Sequence, residues 1–155
     1  MKKVLIILLI LPVVLIGCSG SQSEINDLKL EIISQQINSW VNLMPGSKPS
    51  FFINGSIKIK NNEYAAIDSV KLLKCEVIQE GKTLYNIHPD LRSSISVIDP
   101  MNSGSDRIFT LYLPTGTTIK KELNLEEPIS INLYLSAINK VFLQKINSIN
   151  VLKTY

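Results

Sequence analysis

Hydrophobic and polar residues alternate with a period of two along two segments of the chain. In the segment 51–60, one face consists of Phe51, Ile53, Gly55, Ile57 and Ile59. In Ile129–Ala137, the apolar face consists of Ile129, Ile131, Leu133, Leu135 and Ala137. Alternation of this length is typical of a β-strand with one buried face. Both segments are therefore predicted to be strands.

Shorter segments show the same alternation less completely. Ser69–Gln79 alternates with a phase slip at Leu72-Leu73, which predicts a β-bulge. Arg107–Leu113 places Phe109, Leu111 and Leu113 on one side, and Pro114 ends it. Thr83–Ile87 is short enough to be an edge strand. Val141–Lys153 is predicted to return antiparallel to Ile129–Ala137 through a turn at Asn139-Lys140.

Residues 24–34 fit two patterns. Ile25, Leu28 and Ile32 are spaced as on one face of a helix, whereas Leu28, Leu30 and Ile32 alternate as in a strand. The preferred prediction is a pair of strands, Asp27–Ser34 and Gln35–Leu43.

The composition after residue 17 agrees with a β-rich chain, because it contains 19 Ile and 6 Val but only 3 Ala. Turn signals every 8–12 residues, approximately, then predict an all-β, antiparallel, two-sheet sandwich of about seven to eight strands over residues 24–155. The pattern resembles the immunoglobulin-like sandwiches of bacterial surface lipoproteins, although the Cys–Trp–Cys arrangement of true immunoglobulin domains is absent. A small closed β-barrel is the alternative, since alternation alone does not separate the two folds.

The N-terminal segment differs from the remainder in composition, because 13 of its 17 residues are hydrophobic. Lys2 and Lys3 precede the apolar run Val4–Ile16, which Pro12 alone interrupts. A membrane-spanning helix requires about 20 apolar residues, so this run is short for a span. A basic start, a short apolar core and a small residue at the end are typical of a secretory signal peptide.

The end of this segment, Leu15-Ile16-Gly17-Cys18, resembles the lipobox of bacterial lipoproteins, in which a small residue precedes a cysteine. The resemblance implies that residues 1–17 are a signal peptide cleaved between Gly17 and Cys18, and that the Cys18 thiol is diacylated. An Asp after the cysteine resembles an inner-membrane retention signal, and Ser19 stands there instead. The resemblance therefore implies the outer membrane, with the protein facing the periplasm.

The residues that follow Cys18, up to Ser23, are small, polar and uncharged, which predicts a flexible tether. With the lipid that the resemblance implies on Cys18, the segment 18–23 would be a lipidated tether. Removal of Lys2 and Lys3 with the signal peptide lowers the formal net charge from +3 to +1. No block of like charge stands out, so no nucleic-acid partner is expected.

Residues that could carry catalysis or hold a metal are few. Cys75 lies in an alternating segment that points it inward beside Leu73 and Val77, as expected for a small buried hydrophobic residue. An enzyme would require His88, the only histidine, to meet Asp or Ser side chains in a cleft. Neither a zinc motif nor a catalytic motif is present, so no catalytic residue, metal or cofactor is predicted.

The segment from Trp40 to Gly46 is the most distinctive in the mature chain, because it holds the only Trp, Met44 and a Pro45-Gly46 turn. Trp40 is expected to fill one end of the core, as large aromatic residues usually do, and the alternative is an exposed anchor for a partner. His88 and Asp90 flank Pro89 in a second turn. The candidate partner contacts are Trp40, Met44, Pro45, Gly46, His88 and Asp90.

These features predict a lipid-anchored cell-envelope protein that is not an enzyme, with the sandwich acting as a protein-interaction or structural module. Its expected partners are the membrane, through acylated Cys18, and an envelope protein. The alternative is a binder of a small apolar or lipidic ligand, in a cavity lined by residues such as Phe51, Phe109 and Leu133.

Overall fold

The computed structural model describes residues 29–94 and 99–155, and all regular secondary structure within these ranges is β-strand. No helix in the described ranges is suited to crossing a membrane. The ten strands are β1 Leu30–Asn42, β2 Ser50–Asn61, β3 Lys71–Gln79, β4 Lys82–Ile87, β5 Asp90–Ser93, β6 Asp106–Tyr112, β7 Thr117–Thr118, β8 Ile129–Ala137, β9 Lys140–Ile149 and β10 Val151–Thr154.

The strands form two sheets. The first has six strands in the order β10-β1-β2-β6-β5, with β7 paired to β2, and the second has four in the order β4-β3-β8-β9. No ladder of the described residues joins the two sheets. The prediction of a two-sheet sandwich is therefore confirmed, and the closed-barrel alternative is wrong.

The core lies between the inner faces of the two sheets. Along β2 and β8, every apolar residue assigned inward by the alternation is buried except Gly55, which is half-buried. Phe51 of the six-stranded sheet stacks on Tyr85 of the four-stranded sheet, with ring centroids 5.1 Å apart. This contact joins the two layers directly.

The predicted β-bulge in β3 is confirmed, because the register of β3 against β8 shifts between Leu72 and Lys74. The bulge also corrects one detail of the sequence analysis. Leu72 packs against the core, whereas Leu73 is the extra residue and is 46% exposed. Leu73 is therefore not the inward neighbour of Cys75, because the bulge turns its side chain away from the core.

The predicted pair of strands at the N-terminus is wrong. A single strand, β1, pairs with β2 from Leu30↔Asn61 to Asn42↔Ser50, with one irregularity between Ile32 and Ser34. No glycine or proline lies near Ser34-Gln35 to make a turn, and β2 is long enough to pair with the whole segment. The helical alternative is also wrong for residues 30–34, while residues 24–28 lie outside the described residues.

The C-terminal segment forms two strands in different sheets, where the sequence analysis predicted a single one. β9 pairs antiparallel with β8, as predicted, but β10 crosses to the other sheet and pairs parallel with β1. The crossing follows Ser148, whose φ is +59°, and the Ser39 hydroxyl donates to the carbonyl of Asn150 at 3.0 Å. The sandwich is therefore not wholly antiparallel.

The turn between β8 and β9 consists of Ile138 and Asn139, one residue earlier than predicted, with φ values of +50° and +58°. Positive φ at both central residues is the type I′ geometry that Asn and Gly favour and β-branched residues resist. We expect Ile138→Asn to raise the free energy of unfolding by about 1 kcal/mol, measured by urea unfolding. Ile138→Val keeps the branched Cβ and should give no gain; an equal gain from both would contradict this explanation.

Candidate functional site

An aromatic pair lies on the outer face of the six-stranded sheet. Trp40 of β1 is directly opposite Phe52 of β2, and their rings stack at 5.2 Å between centroids with an interplanar angle of 7°. Both side chains are half-buried, whereas the adjacent Val41 and Phe51 are fully buried on the inner face. The expectation that Trp40 fills the end of the core is therefore wrong, because its register against β2 places it on the outer face.

The aromatic pair has a close neighbour on each side, Gly116 next to Phe52 and Leu152 next to Trp40. Gly116 lies so close to the Phe52 ring that a Cβ atom there would be 2.5 Å from Phe52 Cζ. On the other side, Leu152 of β10 pairs with Trp40 and is 60% exposed. We call Leu152, Trp40 and Phe52 the outer apolar row. Stacking of the two rings, and the backbone of Gly116 close to Phe52, restrict the motion of this aromatic pair.

A second row on the same face is polar. Asn38, Asn54, Tyr112 and Asp90 are successive neighbours across β1, β2, β6 and β5. The amides of this row and the adjacent Gln36 and Ser56 line a shallow depression of about 330 Å³. The outer face therefore offers aromatic surface next to side chains that donate and accept hydrogen bonds.

The structure brings only some of the predicted contact residues together. Met44, Pro45 and Gly46 are exposed in the turn that directly follows β1, which carries Trp40. Asp90 shares the outer face with Trp40 but lies three strands away, roughly 14 Å at ordinary strand spacing.

His88 is exposed in the connection between β4 and β5, outside both rows. Gly17 and Cys18, the predicted cleavage and lipidation residues, lie outside the described residues.

Cys75 is buried in β3, with no exposed surface. Burial, and secondarily the negative charge of Glu76, raise the pKa of its thiol to about 12. A thiol with such a pKa is protonated near neutral pH and is a poor nucleophile. The interpretation of Cys75 as a packed hydrophobic residue is confirmed.

A charged cluster lies on the outer face of the four-stranded sheet. Glu76 accepts hydrogen bonds from Lys74 at 2.7 Å, from the Tyr134 hydroxyl at 2.9 Å and from Asn132 at 3.2 Å. The Lys74 ammonium also lies 4.1 Å from the centroid of the Tyr134 ring. The hydrogen bond from Lys74 is the main cause that lowers the pKa of Glu76 below its ordinary value of 4.5.

This cluster should make the free energy of unfolding depend on pH in the acidic range. A carboxyl whose pKa is lower in the folded state stabilises that state above its unfolded pKa, and the contribution disappears as pH falls through the folded pKa. We expect the unfolding free energies of the wild type and Glu76→Gln to converge as pH falls below 4.5. Lys74→Met should weaken the same pH dependence. A wild-type advantage that does not change at acidic pH would contradict the assignment.

A cavity of about 490 Å³ lies against the inner sides of β5 and β6, where the β2–β3 connection covers them. Its apolar lining is Ile67, Val70, Leu91, Met101 and Phe109, and its polar lining includes Asp68, Arg92 and Arg107. The sequence analysis expected Phe51, Phe109 and Leu133 to line a ligand cavity. Only Phe109 lines this one, because Phe51 and Leu133 are fully buried in the core.

Arg107 is a candidate functional residue that the sequence analysis missed. It is 8% exposed, and its Nη2 donates a hydrogen bond to the carbonyl of Asp99 at 2.7 Å. Its Nε is buried without a hydrogen-bond partner, and the guanidinium forms no ion pair with a described residue. The signal was present in the alternation, since Arg107 has the same phase as the inward residues Phe109 and Leu111.

The described residues contain no cluster of three or more His, Cys, Asp or Glu side chains that could hold a metal ion. Comparison with known proteins finds no matching family model, no similar curated protein and no similar solved structure.

Proposed function

We propose that this chain is a lipid-anchored protein of the bacterial cell envelope that acts without catalysis, as a protein-interaction module. The outer apolar row supports this proposal, because Trp40 lies stacked and half-buried on a solvent-facing sheet rather than in the core. Rigid aromatic residues on a surface contribute much of the binding energy at protein interfaces. The exposed Leu152 and Tyr112 extend the same surface.

The proposed anchor is Cys18, which would carry the acyl chains and become the first residue after cleavage between Gly17 and Cys18. The protein would then lie on the outer membrane and face the periplasm. Each buried acyl methylene contributes about 0.8 kcal/mol, so two or three chains hold a protein on a membrane stably. Metabolic labelling with a fatty acid should mark the chain, and Cys18→Ala should abolish the label. A label that persists in Cys18→Ala would contradict the lipobox interpretation.

The partner surface is tested by crosslinking in intact cells followed by purification of the full chain. We expect one envelope protein to be recovered with the wild type and its yield to fall at least about tenfold in Leu152→Lys and Trp40→Ala, the loss typical of interface anchors. Leu152→Lys is the cleaner variant, because residue 152 is 60% exposed and its replacement leaves the core unchanged.

The matched control is Tyr64→Ala, which removes an aromatic residue that is 92% exposed and lies outside the strands. It should leave the yield unchanged. Equal recovery with Leu152→Lys and with the wild type would exclude the outer apolar row as the contact surface. Cys18→Ala supplies the mislocalised control.

Binding of a small apolar or lipidic ligand is the second candidate function. The cavity beside Phe109 favours it, because its volume of about 490 Å³ falls within the range of about 300–1,000 Å³ common for small-molecule sites.

A further inference from the structure

We infer that the cavity beside β5 and β6 is a binding site for a monocarboxylate with an apolar body, whose carboxylate pairs with the guanidinium of Arg107. This inference deepens the second candidate function and names the class of ligand. It concerns the inner side of the six-stranded sheet, so it is independent of the outer apolar row.

The first observation is a buried cation without a counter-ion. Arg107 is 8% exposed and lines the cavity, and no described carboxylate forms an ion pair with it. Its Nε–H has no acceptor. An isolated buried charge is strongly unfavourable unless it is paired. An entering carboxylate would supply the missing negative charge.

The second observation is the shape and lining of the space around this cation. Phe109, Met101 and Leu91 present apolar surface to the same cavity. A small inorganic anion would leave that surface in contact with water, whereas an aliphatic chain or a ring would cover it. The ligand therefore combines one acidic group with an apolar body.

The local charge selects a monoanion. The other cation of the lining, Arg92, is already paired with Asp90 at 2.9 Å. The remaining charged group of the lining is Asp68, an exposed residue whose carboxylate opposes additional negative charge. One unpaired guanidinium and one opposing carboxylate suit a carboxylate better than a phosphate dianion. The planar guanidinium also matches the geometry of a carboxylate.

The wall of the cavity is held in place by a buried amide. Asn61 has no exposed surface, and its Nδ2 donates to the carbonyls of Ala65 at 2.9 Å and Met101 at 2.8 Å. Met101 and Ile67 also exchange two backbone hydrogen bonds, at 2.8 and 3.0 Å. The cavity is therefore bounded by a braced loop, which lowers the cost of ordering the site when a ligand binds.

The test uses the full chain in detergent, with hexanoate as the probe. The side-chain Nε–H signal of Arg107 in a ¹⁵N–¹H NMR spectrum reports a change in the electrostatic surroundings of the guanidinium. We expect hexanoate to shift this signal and to bind at least about tenfold more tightly than hexanamide or hexanol, since hydrogen bonds to charged groups are about twice as strong as neutral ones. A signal that does not move would overturn the inference.

Two variants separate pairing from simple partition into an apolar space. Arg107→Gln should weaken hexanoate binding at least tenfold, roughly the effect of losing one charge-assisted hydrogen bond. Arg92→Gln, which removes the paired arginine of the same cavity, should change it less than about twofold, as for an exposed ion pair. Unchanged binding in Arg107→Gln, or equal binding of hexanol, would overturn the inference.

Hexyl phosphate distinguishes the acidic group. Tighter binding of hexyl phosphate than of hexanoate would overturn the assignment to a carboxylate and indicate a lipid headgroup instead. If Arg107→Gln does not fold, the wild-type Nε–H signal and the neutral probes still decide the question. Failure of hexanoate to bind leaves the crosslinking result for Leu152→Lys unaffected, so the two proposals fail separately.

Discussion

Substitution of Gly55 by Ala is expected to lower the free energy of unfolding by about 3 kcal/mol, the upper part of the range for overpacking. A Cβ atom at Gly55 would overlap the carbonyl oxygen of Gln36 and would lie 2.7 Å from Ile37 Cδ1 and 2.8 Å from Ile37 Cα. Two of these three atoms belong to the backbone of β1, so a rotamer change does not relieve the clash. The β1–β2 ladder would have to separate in the middle of the largest strand pairing.

Urea unfolding of Gly55→Ala beside two further variants identifies the cause. Gly81→Ala is the matched control, because no atom lies within 4 Å of its Cβ position although its φ is +75°. Gly81→Ala should lower the free energy of unfolding by only about 1 kcal/mol, the cost of placing a residue with a Cβ atom at positive φ. Adding Ile37→Ala to Gly55→Ala removes the Cδ1 contact and leaves the backbone overlap, so the double variant should remain strongly destabilised. Full rescue would show that the side chain alone occupies this space.

Replacement of Asn61 by Leu is expected to lower the free energy of unfolding by about 3 kcal/mol, because each buried polar group left without a partner costs about 1–3 kcal/mol. The two donated hydrogen bonds of Asn61 would be lost, together with the one that its Oδ1 accepts from the Glu63 backbone N–H at 2.9 Å. Leu has the same branching and the same number of side-chain heavy atoms as Asn and is somewhat larger, so the substitution leaves no cavity and removes the hydrogen bonds.

Asn62→Leu is the control for this prediction. Asn62 is exposed, and its side chain donates to Glu31 at 3.1 Å. Its replacement should change the free energy of unfolding by less than about 0.5 kcal/mol, as is usual at exposed positions. Thermal or urea unfolding of the two variants gives the comparison. Similar small losses at both positions would mean that Asn61 does not brace the loop.

Prediction from the sequence was most accurate where the physical cause is local. The faces of β2 and β8 follow directly from their alternation, since successive side chains of a strand point to opposite sides. The bulge at Leu72-Leu73 was visible for the same reason, as a break in that alternation. The N-terminal strand pair was wrong because the length of a strand depends on its partner, and β2 pairs with β1 along nearly its whole length.

The candidate sites divide along the same line. Local sequence marked Trp40 as unusual, but its neighbours come from other strands, Phe52 from the next strand of the chain and Leu152 from the C-terminal strand. Arg107 was one residue of an alternating strand, and its lack of a counter-ion is a property of the residues packed around it. No sequence motif predicts the outer apolar row or the cavity beside Arg107, because each is formed by strands that meet only in the folded protein.

The sequence by itself determined the all-β class and the inward face of each regularly alternating strand, because these depend on side-chain patterning within a few residues. Only the tertiary structure decided which strands are neighbours, that β10 leaves one sheet to pair parallel with β1, and that Trp40 faces solvent while Arg107 lies buried beside a cavity. Strand pairing depends on hydrogen bonds between distant segments, and burial depends on the opposite layer of the sandwich. Both are therefore settled only when the two sheets pack together.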